Sequence, residues 1–166
     1  ISTLQKEIES LHANGVQVRF IGDRAPFSPK LQQLMDNSEI RTQDNPGLRL
    51  AIAVNYGGRW DIAQAAERAA NEQLASGARS VHIDQSAIAQ RLALSFAPEP
   101  DLLIRTGGER RISNFLLWQL AYAEIYFTPV LWPDFDPDAL DRAISAYRAR
   151  ERRFGLTGEQ VRVQSA

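Results

Sequence analysis

Cysteine is absent from the chain, which rules out disulfide staples, thiolate zinc sites and a cysteine nucleophile, and suits a reducing compartment. Histidine is nearly absent too: His12 lies in an amphipathic helical pattern and His82 in the apolar run SVHI. Each is read as structural, because metal and catalytic histidines come with clustered partners. No apolar run approaches the roughly 18 residues of a membrane span, and no signal-peptide pattern opens the chain. Charge of one sign is also missing. Nineteen Lys and Arg stand against 20 Asp and Glu, so no global basic field attracts nucleic acid or an anionic membrane, and any anion site must come from local clustering. What remains is a globular chain, expected in the cytoplasm, whose 166 residues and 44% hydrophobic content suit a single domain over 1–166.

What is present alternates. Ile1, Leu4, Ile8 and Leu11 recur at helical spacing up to Asn14-Gly15, and VQVRFIGD (16–23) then alternates as a strand does. The opening residues include neither an initiator methionine nor a helix cap, so a fragment is expected. Ser28-Pro29 caps a second helix that carries Leu31, Leu34 and Met35 inward, and Asp44-Asn45-Pro46-Gly47 is a turn. LRLAIAVN (48–55) reads as a second strand, and Trp60 to about Ala75 as an alanine-rich helix closed by Gly77. Asp84 opens a shorter helix to about Leu94, Pro98-Glu99-Pro100 breaks it, and DLLIR (101–105) is a short buried strand. A helix from Ser113 to about Ala121, a strand near AEIYFT (123–128) and a helix begun by Asp136-Pro137 complete the series. The alternation predicts an α/β fold with a largely parallel sheet flanked by helices. In such sheets ligands bind beyond the carboxyl ends of the strands.

Two glycine loops follow strands, Asn55-Tyr56-Gly57-Gly58-Arg59 and Arg105-Thr106-Gly107-Gly108-Glu109-Arg110-Arg111, and both are expected on one rim. Arginine stays ionised and its planar fork suits phosphate. Arg105 and Arg111, joined by a loop made compliant by Gly107 and Gly108, could grip a diphosphate, with Ser113 adding a helix N-cap. The plainer reading is that these arginines pair on the surface with Glu109, Glu99 or Asp101 and that Ser113 only caps its helix. Glu124, beside the apolar IYF, is either a solvated strand end or a carboxylate that holds magnesium against phosphate. Tyr122, Tyr126, Phe127 and Trp132 suit a core or a subunit contact. RARERRFG (148–155) is either a solvated, dipole-complementing helix end or a contribution to a neighbouring subunit's phosphate site. NYGGRWD is read as architectural, with Asn55 and Arg59 tying the rim by hydrogen bonds.

NYGGRWDI (55–62), DLLIRTGGERRISNFLLWQLAYAEIYF (101–127), LWPDF (131–135) and RERRFG (150–155) closely resemble the cis-prenyltransferase family, in its bacterial undecaprenyl diphosphate synthase branch. The likeness runs through almost the whole chain in order. It implies a transferase that condenses isopentenyl diphosphate onto farnesyl diphosphate, with Mg2+, to make the carrier lipid of peptidoglycan precursors. It also implies a cytoplasmic homodimer, peripheral at the inner membrane where product leaves, with no nucleic acid partner. Carried over by position, it makes Arg105, Arg111 and Ser113 ligands of the isopentenyl diphosphate group and Glu124 a magnesium-linked carboxylate. Arg153 and Gly155 match an Arg-x-Gly element that completes the phosphate site across the dimer. Arg110 departs from close relatives that carry a histidine implicated near magnesium. The family's first strand, its Asp-Gly-Asn-Gly-Arg-Trp loop and its tunnel helices are not in this sequence. Residues 1–166 are therefore read as a C-terminal portion, expected to be inactive without the rest. The alternative is a non-catalytic binding or scaffold subunit of a heteromeric prenyltransferase. A nucleotide-binding domain is the weakest reading, because neither glycine loop matches a phosphate-loop or dinucleotide fingerprint.

Overall fold

Helical and extended segments follow one another in a computed structural model that describes residues 2–150. They fall into two compact units: one takes the residues up to Pro98 together with Ile112–Trp118, the other Glu99–Arg111 and the described residues from Gln119 on.

In the first unit the order is α1 (Ser2–Ala13), β1 (Gln17–Ile21), α2 (Pro29–Thr42), β2 (Arg49–Ala53), α3 (Gly58–Ala75) and α4 (Gln85–Ala89). The expected apolar spacing does its work here: Leu4, Ile8 and Leu11 of α1 and Met35 of α2 pack against Val18 and Phe20 of β1, removing apolar surface from water. β1 and β2 pair in parallel from Gln17 opposite Arg49 to Ile21 opposite Ala53. Ser28 caps α2 by accepting from the Leu31 amide at 3.4 Å, and Asp84 caps α4 by accepting from the Ala87 amide at 2.7 Å. α4 stops at Ala89 and continues as turns, so it is shorter than its sequence suggests, yet Leu92 is still buried.

β1 shows how a strand edge is closed. Alternate residues of a parallel strand bond to opposite neighbours, so the amides of Val18 and Phe20 point away from β2. Thr42 Oγ1 accepts from Val18 at 3.0 Å and Glu39 Oε1 accepts from Phe20 at 2.6 Å. Arg24 then bridges Glu39 and the Phe20 carbonyl at 2.6 and 2.8 Å. Side chains of α2 thus occupy the edge at which another strand would add.

The second unit contains β3 (Leu102–Arg105), β4 (Glu124–Phe127) and α5 (Pro137–Arg148). Its strands are also parallel, from Leu102 opposite Glu124 to Arg105 opposite Phe127. α5 begins at Asp136, which accepts from the Ala139 amide at 2.8 Å, and it buries Ala139 and Ala143.

The helix expected from Ser113 to Ala121 does not form; the segment runs through bends and turns. Ser113, Asn114 and Leu116 take left-handed backbone angles, with φ of 55°, 62° and 44°. Tertiary hydrogen bonds at Asn114 replace the helical ones, and Ser113 is therefore no helix cap.

Candidate functional site

The loop after β3 turns through Gly107 and Gly108 at φ of 83° and 78°, a left-handed pair that residues with a Cβ adopt at a cost. Their amides donate to the carbonyls of Val130 at 2.8 Å and Thr128 at 3.0 Å. The loop is pinned to the chain leaving β4, so the glycines provide a fixed turn where compliance was expected.

Arg105 Nη1 donates to the main-chain oxygen of Arg111. This closes the loop end to end and brings together two of the residues singled out from the sequence. The Arg111 guanidinium pairs with Glu109, the two side chains being 65% and 44% exposed. The surface ion pair of the plainer reading is therefore real, but a pair so exposed contributes only about 0–1 kcal/mol. A diphosphate with two or three oxygens for one fork can displace such a carboxylate.

The NYGGRWD and SNF stretches interlock within the first unit. Asn55 has φ of 45° and its Nδ2 donates to the Asp23 carbonyl at 3.2 Å. Tyr56 OH donates to Asp61 Oδ2 at 2.8 Å, and the buried Asp61 also accepts from the Ala93 amide at 2.7 Å. The Tyr56 ring meets Phe115 edge-on at 5.9 Å. Gly58 N–H donates to the Asn114 carbonyl at 2.7 Å, and Arg59 N–H to Asn114 Oδ1 at 2.9 Å. Arg59 thus ties the rim by a hydrogen bond from its main-chain amide. Sequence reasoning missed Asn114 altogether; the signal was the pair of glycines opening α3 without a capping side chain, which calls for an acceptor from elsewhere.

Glu124 opens β4, and its Oε2 accepts from Arg150 Nη1. Arg150 Nη2 also donates to the Ile125 carbonyl at 3.1 Å. Arg150, in the stretch read either as a solvated helix end or as a contribution to a neighbouring subunit's phosphate site, therefore bonds to β4. Magnesium wants about six oxygen ligands, and among the described residues no group of three or more His, Cys, Asp or Glu could hold a metal. Glu124 offers one carboxylate, already engaged by a cation, so the described residues do not form a magnesium site of their own. Arg153 and Gly155 lie outside the described residues. Among the described residues no helix is long and apolar enough to cross a membrane.

Comparison with known proteins gives one answer. The prenyltransferase family model described as undecaprenyl diphosphate synthase matches residues 1–155. An isoprenyl transferase of Nitrosomonas europaea is 55% identical over 161 residues, 97% of this chain and 60% of its own length. The ditrans,polycis-undecaprenyl-diphosphate synthase, (2E,6E)-farnesyl-diphosphate specific, of Coxiella burnetii is 52% identical over 165 residues, 97% of this chain and 68% of its own. Lavandulyl diphosphate synthase from Lavandula x intermedia, solved with dimethylallyl diphosphate, superposes with a TM-score of 0.85 at 39% identity, over 93% of this chain and 67% of that one. The chain spans less than two thirds of the Nitrosomonas relative.

Proposed function

The chain belongs to the undecaprenyl diphosphate synthase family of cis-prenyltransferases, and on that premise we propose that it is the C-terminal portion of an enzyme that elongates farnesyl diphosphate with isopentenyl diphosphate. The homoallylic double bond attacks the allylic carbon, diphosphate departs, and a proton is lost from the new chain. Residues of this chain hold the incoming unit. Arg105 and Arg111 bind its diphosphate, Arg111 exchanging Glu109 for phosphate oxygens, and Ser113 adds a hydroxyl. The observation that carries this reading is the bond from Arg105 to the Arg111 carbonyl, which gathers two ionised side chains at one strand end. Fixed donors aimed at a diphosphate cost no reorganisation at the moment of reaction.

Among the described residues Glu124 is the carboxylate that would meet magnesium, the cation taking the place of Arg150. The remaining ligands would come from phosphate oxygens and from carboxylates outside the described residues. A homodimer fits the apolar surface of the second unit, where Tyr122 is 91%, Trp132 75% and Leu131 60% exposed, because aromatic side chains anchor such contacts. Arg153 and Gly155 would then complete the partner's phosphate site. The enzyme would work in the cytoplasm, at the inner membrane when product is released.

Replacing Arg105 by alanine tests the assignment in the full chain as its gene encodes it. The KM for isopentenyl diphosphate should rise about tenfold to 150-fold, the value of one charge-assisted hydrogen bond, with the farnesyl diphosphate KM little changed. Radiolabelled isopentenyl diphosphate incorporation reads both. Equal weakening of the two substrates would point elsewhere, and no incorporation by the unaltered chain would favour the scaffold subunit.

A further inference from the structure

We propose that Asn114 is the positioning residue that fixes Ser113 for the diphosphate of isopentenyl diphosphate, an inference that rests on the substrate assignment above. α3 starts with two glycines, and its N-cap residue, Gly57, has no side chain with which to satisfy the orphan amides of the first turn. Asn114 does this from 55 residues away: its carbonyl takes the Gly58 amide and its Oδ1 takes the Arg59 amide. Two of the first-turn amides are thereby satisfied by one distant residue, which ties Asn114 to the start of α3.

Both glycines make room for this contact. A Cβ on Gly57 would lie 2.8 Å from Asn114 Nδ2, and one on Gly58 would lie 2.7 Å from Leu117 Cγ and 2.9 Å from the Leu117 amide nitrogen, distances that real Cβ atoms do not tolerate. Ser113 and Asn114 are left-handed in succession, a conformation of about 1–3 kcal/mol each for residues other than glycine. Such a pair persists where the surroundings fix it, and here the anchor is the first turn of an 18-residue helix that buries Asp61, Ala65 and Ala69. A site set on a rigid element is held more closely than one on a free loop. The exposed Ser113 hydroxyl is one residue from that anchor.

The test uses the full encoded chain. Asn114→Gly keeps the left-handed backbone and the main-chain acceptor but deletes Oδ1; Asn114→Asp keeps Oδ1 and suits a helix N-terminus. Asn114→Gly should raise the KM for isopentenyl diphosphate about tenfold, with the farnesyl diphosphate KM and kcat each within about twofold, and Asn114→Asp should restore most of the loss. Gly57→Ala offers a second route, since its Cβ displaces the Asn114 side chain without altering Asn114, and the same selective rise is expected. Arg105→Ala is measured alongside. If Arg105→Ala leaves the isopentenyl diphosphate KM unchanged, the substrate assignment fails and this inference with it. If Arg105→Ala acts as expected but neither Asn114→Gly nor Gly57→Ala raises that KM selectively, the positioning role alone is overturned.

Discussion

Gly58 is the residue at which two opposing effects can be weighed. Alanine in a helix is favoured over glycine by about 1 kcal/mol, so Gly58→Ala ought to stabilise α3 if helix propensity decided the matter. The added Cβ would meet the Leu117 amide nitrogen at 2.9 Å, and backbone does not yield as a side-chain tip does. Overpacking costs about 1–3 kcal/mol, and propensity gains are smallest in the first turn. We expect a net loss of about 1–2 kcal/mol, seen as a lower urea midpoint with unchanged slope; a rise in the midpoint would mean that Leu117 can move aside. The sequence pointed at Gly58 as part of a glycine loop, but the reason for the glycine is a chain segment that follows far downstream, and no local pattern carries it.

Among the elements, β1 depends on α2 for more than apolar packing. Thr42 is fully buried, as is Val18, and the Thr42 hydroxyl is the acceptor for the Val18 amide at 3.0 Å. Thr42→Val keeps the shape and removes the acceptor, leaving a buried amide unsatisfied at about 1–3 kcal/mol. Glu39→Gln provides the contrast, because an amide oxygen can still accept from Phe20. Chemical denaturation should rank Thr42→Val well below the parent; equal stability would mean that water or a shifted side chain reaches the Val18 amide. α3 and the turn that follows α4 are joined by an exposed tie: the hydrogen bond from Arg91 holds the Glu72 carboxyl below its ordinary range. A lowered carboxyl contributes stability above the unfolded value and loses it as pH falls through the folded one, so this tie weakens in acid. The helical run in α2 was legible because Leu31, Leu34 and Met35 repeat at short range. Edge capping was not, since Thr42 and Glu39 look like ordinary surface residues until a strand lies beside them.

For the whole molecule the proposal of a shared phosphate site makes a prediction about mixtures. Arg153→Ala should impair isopentenyl diphosphate use while leaving a dimer intact, because it removes a charge and little apolar area. Mixed with Arg105→Ala, it should recover part of the lost activity, since one site in each mixed dimer would combine an intact Arg105 with the partner's intact Arg153. Sedimentation follows dimer formation and exchange, and incorporation of labelled isopentenyl diphosphate compares the mixture with either variant alone. No gain after verified exchange would place Arg153 in its own subunit's site or in none.

The sequence by itself determined the order of the helices and parallel strands that form, the caps at Ser28, Asp84 and Asp136, and the clustering of Arg105 and Arg111 after a strand. These rest on periodicity, capping and turn chemistry, all of which act within a few residues. Only the tertiary structure decided that SNFLLWQLA (113–121) is not a helix, that Asn114 caps α3 across 55 residues, and that Arg150 covers Glu124 across 26. Each of these is a match between one polar group and one distant partner. A helix-forming pattern gives way when orphan amides at a distant helix start take its carbonyl and side chain in place of its own next turn.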